Sequence, residues 1–133
     1  MAKKFITNKT TKMKHVKNIP AYLLALVYLV FGANFFFHFI PMPPMAGDAA
    51  AFAGLIYSTG FLAFVKVLEI SFGLLLLVPK TRALAYLLIA PISVNILLFE
   101  VFMAHQLGIG VLLVVLNAIG IIVNKDKYIS IIK

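Results

Sequence analysis

A chain of 133 residues with 63% hydrophobic and only 12% charged side chains departs far from the soluble average of about half apolar and a quarter charged, which excludes a water-soluble domain. The absence of cysteine excludes disulfide relays, thiolate metal sites, iron–sulfur clusters and thiol nucleophiles. A net charge of +8 leaves nucleic acid and acidic surfaces as partners until the positions of the charges are known.

Residues 1–18 read as a basic tail with six lysines (Lys3, Lys4, Lys9, Lys12, Lys14 and Lys17) and no acidic residue. The first apolar block runs from about residue 20 to 40, with Asn18 as a cap and Pro20 in the first turn, and it stops at Pro41, Pro43 and Pro44. It is longer than the apolar core of a signal peptide and three more blocks follow, so it reads as a retained span. Residues 47–57 read as a short interfacial helix with Asp48 as cap and Phe52, Leu55 and Ile56 on one face. Further blocks cover about 60–78, 83–103 (interrupted by Pro91) and 107–123. Residues 125–133 read as a second short tail. A bilayer core about 30 Å thick takes roughly twenty helical residues to cross. The fold class expected is therefore an all-α membrane protein, a four-transmembrane-helix bundle with an interfacial helix between spans one and two.

The cations give the orientation. Six precede span one, Lys80 and Arg82 join spans two and three, and Lys125, Lys127 and Lys133 follow span four, so eleven of the twelve fall on one side. The loops 41–59 and 104–106 have none. By the positive-inside rule both termini are expected in the cytoplasm of a multi-pass protein of a bacterial inner membrane. With only Phe5 among the tail lysines there is no stacking platform, so the lipid bilayer is the expected partner and nucleic acid is not.

The twelfth cation, Lys66, lies inside span two with Glu69 three residues later on nearly the same face. Each unpaired charge there costs about 2.5–3.5 kcal/mol, and mutual pairing is the obvious relief. Counted inward from the outer ends, Asn34, Lys66 and Asn95 fall about 9–12 Å deep, with Glu69 and Asn117 closer to the midplane. His38, Glu100 and His105 sit at the outer mouth. Asn34 and His38 share a helix face, whereas Asn95 and Glu100, five apart, diverge by about 140°. Two readings stand: the polar groups are interhelical glue, or Asn34, His38, Lys66, Glu69, Asn95 and Asn117 line a polar chamber open outward, with Glu100 and His105 at its mouth. His38 and His105 follow no ligand spacing, and no metal is assigned. The catalytic arrangements sought, a phosphate loop, a nucleophile elbow and an acid/base carboxylate pair, are all missing from the sequence.

The stretch Phe31-Gly32-Ala33-Asn34-Phe35-Phe36-Phe37-His38-Phe39-Ile40-Pro41-Met42-Pro43-Pro44, and less specifically Pro91-Ile92-Ser93-Val94-Asn95-Ile96-Leu97-Leu98-Phe99, resembles small bacterial membrane proteins of the DoxX-like family. The resemblance implies a four-helix inner-membrane bundle, with some relatives linked to quinone-coupled oxidation of sulfur compounds or to membrane redox-defence assemblies. It carries over no catalytic residue. The function expected is a non-catalytic accessory or anchoring subunit of a larger redox or envelope complex, or a homo-oligomer. The alternatives are a quinone-linked oxidoreductase component, in which a quinone would be the cofactor, and a small-solute or lipid carrier.

Overall fold

The computed structural model describes residues 15–132, so most of the expected basic tail, including Lys3 to Lys14, lies outside the described residues, as does Lys133. Among the described residues, after a helical stretch at 15–17, come α1 (Ile19–Phe37), α2 (Gly47–Ser58), α3 (Phe61–Leu77), α4 (Arg82–Phe99), α5 (Gly110–Val123) and α6 (Lys125–Ile132). A π-helical turn, Glu100–Ala104, extends α4. No strand occurs among the described residues.

Local chemistry sets the helix ends, and several differ from the sequence reading. Helix α1 starts with Pro20 in its first turn, but Asn18 makes no side-chain cap. It stops at Phe37, short of residue 40, because His38 turns left-handed (φ 54°) and its N–H returns to the Asn34 carbonyl. Helix α2 begins one residue before Asp48, after an extended Ala46, so Asp48 sits within the first turn and not at the cap. A carboxylate there faces the positive end of the helix dipole. Gly60, at φ 84°, lets the chain turn 84° from α2 into α3, a backbone conformation that costs any residue with a Cβ. Helix α4 continues through Pro91. Helix α5 starts only at Gly110, later than residue 107, and the segment after residue 124 forms helix α6.

Helices α1, α3, α4 and α5 form a ring in which α1 packs on α3, α3 on α4, α4 on α5 and α5 on α1. Neighbours run antiparallel: Gly32 of α1 faces Lys66 and Ile70 of α3, while Gly73 faces Ala25 and Leu29. Gly120 of α5 lies so close to the Tyr86 ring that a methyl group would collide with it, which fixes the α4–α5 approach. The core is Ala21, Leu24, Ala25, Tyr28, Leu76, Ala85, Tyr86, Ile89, Leu113 and Leu116.

Arg82 closes one end of the ring. It is buried, donates to the carbonyls of Leu76 (2.8 Å) and Leu77 (3.2 Å), and lies 5.3 Å from the Tyr22 ring centre. These carbonyls end α3, where a cation also meets the negative end of the dipole. Helix α6 docks at the same end through Tyr128, whose hydroxyl donates to the Ala83 carbonyl at 2.8 Å. Burial pushes the Tyr128 hydroxyl up from its ordinary value, which keeps it a donor at neutral pH. Lys17, Lys80, Lys125 and Lys127 belong to this basic end by their places in the chain. At the opposite end, α2 lies across the bundle, with Tyr57 on Phe35 (5.7 Å between ring centres) and Phe52 on Phe99 (5.8 Å).

The exterior is as apolar as the core: Leu26, Phe64, Leu74, Leu84, Val115 and Ile122 are all exposed. Helices apolar on every face are compatible with a membrane protein. Ile19–Phe37 and Arg82–Ala104 are each long and apolar enough to cross a membrane, the bent pair Gly47–Ser58 and Phe61–Leu77 qualifies when taken together, and Gly110–Val123 is a shorter apolar helix.

Candidate functional site

The bundle holds a buried polar layer. Its centre is a directed chain of hydrogen bonds. Asn117 of α5 donates through Nδ2 to the Tyr86 carbonyl of α4 at 2.9 Å and accepts at Oδ1 from the Ser93 hydroxyl at 3.0 Å. Ser93 has a single hydrogen, already committed to Asn117, so the Tyr28 hydroxyl must be the donor in the 2.6 Å contact between Tyr28 and Ser93. Three helices are thereby joined, and Tyr28, Ser93 and Asn117 are all buried. The missing N–H of Pro91 leaves the carbonyl of Leu87, the residue after Tyr86, without its helical donor.

On α3, Lys66 Nζ and Glu69 Oε2 stand 3.0 Å apart, with Glu69 buried and the Lys66 side chain 20% exposed. Counted along each helix, Glu69, Asn117 and Tyr28 lie about 10–14 Å from the end opposite the lysines, which puts them in one layer.

Other sequence-predicted residues do not join it. Asn34 is buried, but its carboxamide clasps the peptide of Ile40, accepting from the Ile40 N–H at 2.6 Å and donating to the Ile40 carbonyl at 3.1 Å. Asn95 is exposed on the outside of α4 and donates to the Pro91 carbonyl of its own helix at 2.8 Å, so it faces away from any interior chamber. Glu100 is buried and not at an open mouth, because its carboxylate accepts from the N–H groups of Gly108 (2.8 Å) and Gly110 (3.0 Å) at the start of α5. His38 and His105 are exposed, each in a left-handed turn on a different connection (φ 54° and 53°).

A cleft of about 530 Å³ opens at the same end, between the last turn of α1, the proline-rich connection and α2. Asn34, Phe35, His38, Met42, Met45 and Tyr57 contribute to its walls, as does Leu62 of α3. It is mainly apolar, and Asn34 enters it with its amide already engaged. No pair of side chains lining it forms an acid/base or nucleophile unit.

Sequence reasoning did not single out Tyr28, Ser93, Tyr86 or a buried Arg82. Their signal is a lone hydroxyl or guanidinium in or beside an apolar run, which acquires meaning only when helix rotation is known. Compared with protein-family models, curated proteins and solved structures, the chain matches none.

Proposed function

We propose that the protein is a four-span bundle in a bacterial inner membrane, with both termini cytoplasmic, acting as a non-catalytic accessory or anchoring subunit of a redox or envelope complex in the manner of the DoxX-like family. The observation that carries this reading is that the interior polar groups, the Tyr86 hydroxyl excepted, are engaged within the chain, by one another or by its backbone. Tyr28, Ser93 and Asn117 are joined to the Tyr86 carbonyl, Lys66 is paired with Glu69, and Asn34 and Glu100 are spent on backbone N–H groups. Such groups hold helices together and leave little with which to bind or transform a polar substrate. The resemblance around Asn34 and the confinement of Lys80, Arg82, Lys125 and Lys127 to the ends of apolar helices support the membrane placement.

The apolar cleft beside His38 and Tyr57 favours a second reading, a binder of a quinone or lipid at the outer face. Native mass spectrometry of the protein released from its own membranes in mild detergent separates the two. A heavier hetero-complex is the outcome expected of an accessory subunit. A solitary bundle with a discrete extra mass of quinone or lipid size would replace that reading with the second. Cysteine labelling at Ala46 and Lys127 tests orientation: modification of Lys127→Cys from outside intact cells would overturn it.

A further inference from the structure

Helix α4 carries a second apolar stripe, on the face turned away from the bundle. Leu84, Leu88, Pro91, Asn95 and Leu98 are all exposed, and they follow one another at spacings of four, three, four and three residues. That is the seam spacing of two helices wound side by side, with one polar residue among apolar ones. Within the bundle, α4 uses its opposite face, through Ala85, Tyr86, Ile89 and Ser93.

Asn95 decides what covers the seam. It lies nine residues before the end of the Arg82–Ala104 segment, about 14 Å along the helix axis and well inside an apolar run. One amide hydrogen is spent on the Pro91 carbonyl, while Oδ1 and the second N–H have no partner among the described residues. Ser71, the exposed hydroxyl of α3, differs in that its one hydrogen is satisfied by the Val67 carbonyl. A half-satisfied carboxamide facing hydrocarbon is costly, and it presents one donor and one acceptor side by side.

The geometry points to a parallel homodimer formed along this stripe, with Asn95 of each copy donating to Oδ1 of Asn95 in the other. Two copies inserted in the same membrane share one orientation. A two-fold axis along the membrane normal therefore sets each seam residue against itself at equal depth. A carboxamide is its own complement under that symmetry, whereas an unrelated apolar helix leaves both of its free groups unpaired. Pro91 and Leu98 pack on either side of the pair and exclude lipid from it, with Leu88 in the next layer. The inference rests on α4 crossing the bilayer and is independent of whether the protein serves a larger complex.

The chain has no cysteine, so single cysteines report contacts without background from the protein itself. Leu88→Cys and Leu98→Cys are each introduced into the full-length protein in its native membranes and treated with a short homobifunctional maleimide. Leu26→Cys, exposed on α1 across the bundle at a similar depth, is the collision control. The seam positions are expected to yield a species of twice the chain mass and the control to yield little. Asn95→Leu is expected to weaken self-association about fivefold to tenfold, with recovery in Asn95→Gln. Equal yields at Leu88 and Leu26, a full yield with Asn95→Leu, or adducts at Leu88 only to a different protein would each overturn the homodimer. A carbonate wash run beside it reads the membrane placement separately: protein released by the wash sinks that placement, whereas retained protein with no seam adduct sinks the dimer alone.

Discussion

The Tyr28 hydroxyl of α1 donates to Ser93 Oγ of α4 at 2.6 Å, across the diagonal of a ring in which those two helices are not packed neighbours. Ser93 passes its own hydrogen to Asn117 of α5. One small side chain thus fixes the relative rotation of three helices, where apolar packing alone would tolerate slippage.

Removal of that central hydroxyl strands two buried groups at once. Ser93→Ala leaves the Tyr28 hydroxyl and Asn117 Oδ1 without their partner and is expected to cost about 1–3 kcal/mol, with Ser93→Thr closer to the parent. Reversible unfolding in mixed detergent micelles reads the difference. A loss below about 0.5 kcal/mol in Ser93→Ala would show that the chain of bonds does not stabilise the fold.

The Lys66–Glu69 pair behaves differently under single and double replacement. Glu69→Leu alone leaves a lysine in an apolar span and is expected to destabilise by about 3 kcal/mol, whereas Lys66→Leu with Glu69→Leu folds as well as the parent. The same unfolding assay compares the three proteins. If the double variant is as unstable as the single one, the pair is not a self-contained unit and Glu69 has another partner in the bundle.

Tyr86 offers the reverse case. Its hydroxyl is buried with no hydrogen-bond partner among the described residues, so Tyr86→Phe removes an uncompensated polar group and keeps the ring against Gly120. Unchanged stability or a gain of about 1 kcal/mol is expected. Gly120→Ala, which drives a methyl into that ring, is expected to cost about 1–3 kcal/mol. A marked loss in Tyr86→Phe would reveal a partner for the hydroxyl, such as a buried water.

The parts of this arrangement legible in the sequence are those that composition makes expensive. Four apolar runs, parted by prolines, by the cations Lys80 and Arg82, and by the polar His105 and Gln106, announce apolar helices in the correct order, and the Lys66–Glu69 spacing announces a pair, because neither charge is tolerable alone in such a run. Rotation about each helix axis is not announced, since runs that are apolar on all sides carry almost no periodicity. The sequence therefore places Asn95 and Asn117 in the same interior set, although one faces outward and the other lies in the core. The 140° divergence of Asn95 from Glu100 is legible, but which of the two faces inward depends on packing. Local turns are equally silent: the Asn34 clasp on Ile40 arises from a left-handed residue at His38, which no spacing rule specifies.

Glu100 gives the last prediction. It opens the π-helical turn, where the extra residue per turn carries its carboxylate back over the following connection, and there it accepts from Gly108 and Gly110. Those N–H groups lie just ahead of and within the first turn of α5, a helix end that has no side-chain cap from its own N-cap residue, Ile109. An anionic acceptor at this end is favoured by hydrogen bonding and by the dipole together. Glu100→Ala is thus expected to fray the start of α5 and cost about 1–2 kcal/mol, and Glu100→Gln to lose a smaller part, because one amide oxygen still accepts. Hydrogen exchange followed at residues 108–113 in detergent localises the effect. Faster exchange confined to that segment in Glu100→Ala, with the basic end around Arg82 unchanged, is the outcome that a cap requires. Uniformly faster exchange would mean that Glu100 supports the whole bundle, and no change in exchange would mean that α5 begins without its help.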